Sequence, residues 1–125
     1  MRFDGARSIF LQIGDYLGEM ILEGKYAEGE RIPSIREMAG RMEVNPNTVI
    51  RSYAQLQEEG VIYNQRGMGY FVAEGARERI LGARRNEFTG RVLPEIFRTM
   101  KILGIDIEEL KEQYARYEAG QGVDR

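Results

Sequence analysis

The chain has 125 residues, 42% of them hydrophobic and 30% charged, and this composition suits one folded core with at most a small second unit. Cysteine and histidine are both absent and the net charge is −2, so we expect no enzyme, no metal site and no cofactor. No apolar run reaches the roughly 18 residues of a membrane span, and residues 1–4 lack the core of a secretory signal, which predicts a cytoplasmic protein without a membrane partner.

Two helices are predicted in the first third of the chain. Apolar residues recur at helical spacing over Ser8–Leu22, and Gly24 is suited to ending this helix. Ser34 and Glu37 form a capping-box pair, in which each side chain satisfies a free backbone N–H group at the start of a second helix. We expect this second helix to end near Met42.

A third helix is predicted to follow after a short turn. Asn45 can cap it, and Pro46 fits its first position because no intrahelical bond is lost there. Its apolar face carries Val49, Tyr53 and Leu56. A short turn between two helices, the second with one polar face, is typical of a helix-turn-helix that enters a DNA major groove. The predicted DNA-contacting residues on that face are Asn47, Thr48, Arg51, Ser52 and Gln55, joined by Arg36 of the second helix.

Basic residues are concentrated in the same region. Between Arg31 and Gln55 the chain has four arginines and two acidic residues, although residues 1–73 as a whole hold eight basic and ten acidic residues. Because phosphate attraction supplies much of the affinity for DNA, we expect modest binding by a monomer and a need for a dimer.

A β-hairpin is predicted after the third helix. The β-prone runs 61–63 and 70–72 flank two glycines that permit a tight turn. We expect Arg66 and the backbone at Gly67 and Gly69 to approach DNA at the hairpin tip. The prediction is therefore a mostly α fold with a small β wing, in which residues 1–73 form a winged helix-turn-helix DNA-binding domain.

Residues 74–125 are predicted to form a short two-helix dimerisation region. One helix is expected from Gly75 to Leu103, where Pro94 would kink or break it, and a second over Ile107–Tyr117. So small a tail cannot bury its apolar stripe alone, which favours packing on a second copy. The predicted dimer contacts are Phe88, Val92, Ile96, Phe97, Met100 and Leu103.

Four separated motifs, in order, resemble the GntR-type winged-helix transcription regulators; they are Pro33–Ala39, Val44–Val49, Glu58–Ile62 and Arg66–Val72. The short tail is similar to that of the YtrA subfamily. The resemblance implies a homodimer that represses an operon, often one encoding an ABC transporter. It also implies that Arg36, Asn47 and Thr48 contact DNA. Arg51 stands one position after the arginine of many members, so the operators of other branches are not expected here.

Two functions remain open from the sequence. The first is a dimeric repressor that occludes an inverted-repeat operator of double-stranded DNA and is released by an unknown small-molecule effector. The second is a winged-helix protein-interaction module without specific DNA binding, which the acidic net charge favours. The polar face of the third helix favours the repressor, and charge reversal at Arg36 and Arg51 would separate the two.

Overall fold

The computed structural model describes residue 5 and residues 7–124, with side chains described up to residue 120. A mostly helical fold with a two-stranded wing is confirmed. Its elements are α1 (Ile9–Leu22), α2 (Ile35–Met42), α3 (Pro46–Glu58), β1 (Ile62–Gln65), β2 (Gly69–Val72), α4 (Ala76–Glu87), a π-helical segment (Phe88–Val92), α5 (Leu93–Leu103) and α6 (Ile107–Asp124). Residues 1–4, used in the prediction on secretion, lie outside the described residues. In the described part, no helix is long and apolar enough to cross a membrane.

The starts of α2 and α3 are set by the predicted caps. The backbone N–H of Glu37 donates to Ser34 Oγ at 3.1 Å, and the backbone N–H of Ser34 donates to Glu37 Oε1 at 2.8 Å. At α3, the backbone N–H of Asn47 donates to Asn45 Oδ1 at 2.8 Å, and Pro46 occupies the first turn. These bonds satisfy N–H groups that the helices themselves leave free, so local sequence fixes where both helices begin.

One hydrophobic core joins the first three helices to the wing. Tyr53 of α3 lies at its centre with its side chain fully buried. Its hydroxyl donates to the carbonyl oxygen of Pro33 at 2.7 Å, and its ring meets that of Tyr70 edge-on at 4.9 Å. Tyr53 therefore ties the start of α2 and the wing to α3. Other fully buried members of this core are Ile13, Leu17, Met38 and Val49.

The wing is an antiparallel hairpin. Its register runs from Ile62 opposite Val72 to Gln65 opposite Gly69. The backbone φ angles of Gly67 and Gly69 are 79° and 118°, a region that favours glycine, so the turn needs both residues. A third extended segment lies along β2, since Arg31 forms an isolated bridge with Phe71.

The first compact unit extends beyond the predicted boundary at residue 73. The chain divides into units after Ala83. Ala76 and Ile80, both in α4, are buried in the core of the first unit, and the backbone N–H of Gly75 donates to Glu28 Oε1 at 2.8 Å. The sequence boundary was placed too early because the first turns of α4 complete this core.

The second unit starts at Arg84 and contains α5 and α6. Pro94 does not end its helix; Pro94 lies in the first turn of α5, directly after the π-helical segment. A π-helical turn widens the backbone, which accommodates a ring that would otherwise clash with the carbonyl four residues earlier. Gly104, with φ of 72°, ends α5, and Asp106 Oδ1 accepts the backbone N–H of Glu109 at the start of α6. α6 extends past the predicted end at Tyr117.

Candidate nucleic-acid interface

The helix α3 separates most of its apolar and polar residues as predicted, with Ser52, which is buried, and Ile50, which is exposed, as exceptions. Val49, Tyr53 and Leu56 are buried against the core. On the other side, Asn47 and Arg51 are exposed. Because the buried residues fix the rotation of α3 about its axis, the exposed residues of its first turns face outward together.

Two further predicted contacts flank this exposed surface. Arg36 lies on α2 and is exposed. Thr48 is half-buried in the first turn of α3, where its backbone N–H donates to the carbonyl oxygen of Asn45 at 2.9 Å. The first turns of a recognition helix are the part that reaches base edges in helix-turn-helix complexes. Asn47, Thr48 and Arg51 therefore lie in the first turns of α3 and Arg36 lies on the surface of α2, and their contact with DNA stays a prediction.

The structure corrects the prediction for Ser52. We predicted it on the polar face, but its side chain is only 1% exposed. Its Oγ lies 3.5 Å from the point where a Cβ on Gly14 would stand, so Ser52 faces α1. A hydroxyl enclosed between two helices cannot reach a DNA groove, and Ser52 is removed from the candidate contacts.

Gln55 is a weaker candidate than the sequence suggested. It is half-buried, and its Nε2 donates to Glu59 Oε2 at 3.0 Å. Glu58 and Glu59 are exposed at the same end of α3. Since carboxylates repel phosphates, the acidic end of α3 is suited to lie away from a DNA backbone while its first turns approach it.

The wing tip carries Arg66 in an exposed position beside Gly67. Gly69 also leaves room for a neighbouring side chain, which the sequence did not show. A Cβ on Gly69 would stand 3.0 Å from Arg31 Nε, so the missing side chain leaves room for that guanidinium. Arg31 is exposed and lies beside the wing, which adds a basic group that our sequence-based site omitted. The bridge between Arg31 and Phe71 joins segments that are far apart in the chain, so local sequence does not indicate it.

Charges near α2 are held by local hydrogen bonds. The bonds from Ser34, first from its backbone N–H and then from its hydroxyl, lower the pKa of Glu37, with a smaller contribution from the nearby arginines. A hydrogen bond with the Tyr26 hydroxyl raises the pKa of Arg41. Glu37 is thus an ionised cap of α2. In the described residues, no group of three or more acidic side chains is placed to hold a metal ion.

The second unit exposes the predicted dimer contacts to different extents. Phe88, Phe97 and Leu103 are exposed. Val92, Ile96 and Met100 line a groove of about 490 Å³ between α5 and α6, where Val92 and Met100 are half-buried and Ile96 is 36% exposed. The apolar stripe of this unit therefore has a part that contributes to the α5–α6 groove and a part that faces solvent.

In this winged helix, the first turn of α3 is polar and exposed, and arginines lie near it. This is the architecture of a DNA-binding transcription regulator. The family model "Bacterial regulatory proteins, gntR family" matches residues 10–72. The chain belongs to the GntR family.

Related proteins match nearly the whole chain. The uncharacterised transcriptional regulator YhcF of Bacillus subtilis is 34% identical over 119 residues, which are 95% of this chain and 97% of the relative. The transcriptional repressor YtrA of the same organism is 31% identical over 104 residues, covering 83% of this chain and 79% of the relative. A GntR-family putative regulator from Bacteroides thetaiotaomicron has a crystal structure that is similar with a TM-score of 0.81 and 44% identity, covering 91% of this chain and 99% of that one.

Proposed function

We propose that this GntR-family regulator is a homodimeric repressor that binds an inverted-repeat operator. The observation that carries the proposal is the surface formed by Asn47 and Arg51 of α3 with Arg36 of α2, all exposed beside a fully buried opposite face. This surface offers amide and guanidinium donors, the groups that read adenine and guanine edges in the major groove.

The proposed contacts divide into two kinds. Asn47 and Arg51 are proposed to reach base edges, with Thr48 and Gln55 beside them. Arg36 and the wing residue Arg66, together with the backbone at Gly67 and Gly69, are proposed to hold the DNA backbone and thereby fix the register of the protein. With a net charge of −2, these few arginines supply the attraction to phosphates.

A dimer is proposed because the second unit leaves large apolar side chains exposed. Leu103 is 65% exposed, and Phe88 and Phe97 are about half exposed. A second copy would cover Phe88, Val92, Ile96, Phe97, Met100 and Leu103 in a symmetric contact. Such a dimer would carry two recognition helices, which matches the symmetry of an inverted repeat.

The likeness to YtrA supports repression as the outcome and the YtrA subfamily as the branch. We propose occlusion as the mechanism, in which the bound dimer covers a promoter and blocks polymerase. The resemblance further suggests that the controlled operon is the protein's own and encodes an ABC transporter. Binding of a small-molecule effector would release the DNA.

The test is selection of bound fragments from random DNA with purified protein, followed by affinity measurements at two salt concentrations. We expect an enriched inverted repeat whose binding weakens steeply as salt rises. The double charge reversal Arg36→Glu with Arg51→Glu should abolish enrichment while leaving the circular dichroism spectrum unchanged. Failure of the folded wild-type protein to enrich any sequence would contradict the proposal and favour a protein-interaction module, the function that the acidic charge supports.

A further inference from the structure

An aromatic ring on α1 lies against the arginine at the centre of the proposed reading surface. The guanidinium carbon of Arg51 lies 4.0 Å from the centroid of the Phe10 ring. Phe10 is half-buried near the start of α1, and Arg51 is exposed on α3. Within residues 7–120, no hydrogen bond or ion pair from Arg51 accompanies this contact. The contact with the Phe10 ring is therefore the side-chain interaction that the described residues give this guanidinium.

The packing of α1 on α3 fixes this pair in place. Gly14 lies one turn after Phe10, and a Cβ on Gly14 would be in ordinary contact with Ser52 Oγ, 3.5 Å away. Ser52 is the residue next to Arg51, and it is buried. Two small residues thus face each other where the helices meet, which lets α1 approach α3 closely enough for the larger Phe10 to reach the guanidinium.

Stacking leaves the DNA-reading part of Arg51 free. A guanidinium is planar, and its N–H donors point outward in that plane, while an aromatic ring occupies only its flat face. A long arginine side chain otherwise loses much of its rotamer freedom when it is fixed on binding. A ring that already holds the guanidinium reduces this loss and keeps the donors available for a bidentate contact.

We propose that Phe10 is a positioning residue for DNA recognition, which holds the Arg51 guanidinium by its face so that its edge can bind a guanine. This role rests on the proposed function and names a residue outside the helix-turn-helix as a determinant of specificity. It also places the start of α1 next to the DNA, because Phe10 must remain beside Arg51 in the complex.

The variants separate the effect of the aromatic face from the effect of the apolar volume of the side chain. Phe10→Leu keeps an apolar side chain but removes the aromatic face, whereas Phe10→Tyr keeps the ring. Arg51→Ala removes the partner. Each protein is tested for folding by thermal unfolding, then for affinity to the selected operator and to unrelated DNA of the same length. The chemical shift of the Arg51 Nε–H group in the free protein reports the ring directly, because an aromatic face shifts a proton lying over it.

We expect Phe10→Leu to weaken operator binding about two- to fivefold, the ratio that corresponds to about 0.5–1 kcal/mol, with little change in affinity for unrelated DNA. Phe10→Tyr should restore wild-type binding. In the Arg51→Ala background, Phe10→Leu should have no further effect, since the partner is gone. The Arg51 Nε–H shift should move in Phe10→Leu and return in Phe10→Tyr.

Three results would overturn the role of Phe10. One is an equal loss from Phe10→Leu with and without Arg51, which would show a merely structural effect. Another is tighter operator binding by Phe10→Leu, which would mean that the ring withholds Arg51 from DNA. The third is an unchanged affinity. Failure of the wild-type protein to enrich any sequence would instead overturn the proposed function and this role with it, and the Arg51 shift would still report whether the pair forms.

Discussion

The two compact units bury their large apolar side chains to different extents. In the first unit, Leu17 of α1 and Tyr53 of α3 are fully buried in one core, and Ile50 is the apolar side chain of α3 that stays exposed, at 49%. In the second, Leu103 is 65% and Ile102 77% exposed. A unit with a closed core can fold on its own contacts, whereas exposed large apolar side chains indicate a surface that another molecule covers. On the basis of this comparison, we propose that the first unit reads DNA and the second unit mediates assembly.

The largest effect is expected on the free energy of unfolding, when a leucine is replaced by alanine in each unit. Leu17→Ala creates a cavity in a closed core and should lower the free energy of unfolding by about 2–5 kcal/mol. Leu103→Ala is the matched control, since the same atoms are removed from an exposed site. Urea unfolding at low protein concentration should show little change for it. Equal losses for the two variants would contradict the division between the units.

Local sequence predicted most of the first unit because its helices and wing depend on residues close in the chain. Ser34 and Asn45 set two helix starts, and the glycines of the wing set its turn. Contacts between distant segments were missed. Ser52 lies at the edge of the apolar stripe of α3, and only the passage of α1 across it buries the side chain. The stacking of Phe10 on Arg51 arises from the same crossing.

The second unit was less predictable for a different reason. A helical period of apolar residues shows that one face of a helix will be covered, but it does not identify the element or molecule that covers it. Val92 and Leu103 therefore looked alike in the sequence. The structure separates them, since Val92 lines the α5–α6 groove and Leu103 faces solvent. The π-helical segment before Pro94 was also missed, because the apolar pattern carries no sign of a change in helix type.

The next largest effect is expected when single charges of the first unit are removed, and it shows which of these charges contact DNA. Arg36→Ala should weaken operator binding by about 1–3 kcal/mol through loss of a charged contact. Lys25→Ala is the control, because Lys25 lies past the far end of α1 and pairs with Glu23 at 3.8 Å. Fluorescence anisotropy with the selected operator measures both. A similar loss for the two variants would point to a general charge effect and away from a localised interface.

A smaller effect tests the correction at Ser52. Its Oγ is buried and has no hydrogen-bond partner among the described residues. Ser52→Ala removes a desolvated hydroxyl, so we expect unfolding stability to stay equal or rise by about 1 kcal/mol, with operator affinity unchanged. Asn47→Ala, on the exposed part of the same helix, should weaken operator binding instead. Comparable losses of affinity for both variants would return Ser52 to the interface.

The smallest effect is the pH dependence of the α2 cap. The folded protein holds the pKa of Glu37 below its ordinary 4.5, so the ionised carboxylate stabilises the fold above that value. This contribution is lost as the pH falls through the lowered pKa of the folded state. Glu37→Gln keeps a hydrogen-bond acceptor but does not titrate, and its unfolding curve should depend less on pH below about 5. An identical pH dependence in both proteins would show that Glu37 does not contribute.

The most direct test of the division between the units compares a full inverted repeat with a single half-site. We expect the wild-type protein to bind the full site on the order of 100-fold more tightly, since a dimer engages both halves at once. Leu103→Glu changes an exposed residue of the second unit, and this variant should become monomeric and bind both DNAs with the same low affinity. Retention of the full-site preference by a monomeric Leu103→Glu protein, or its absence in the wild type, would contradict the account.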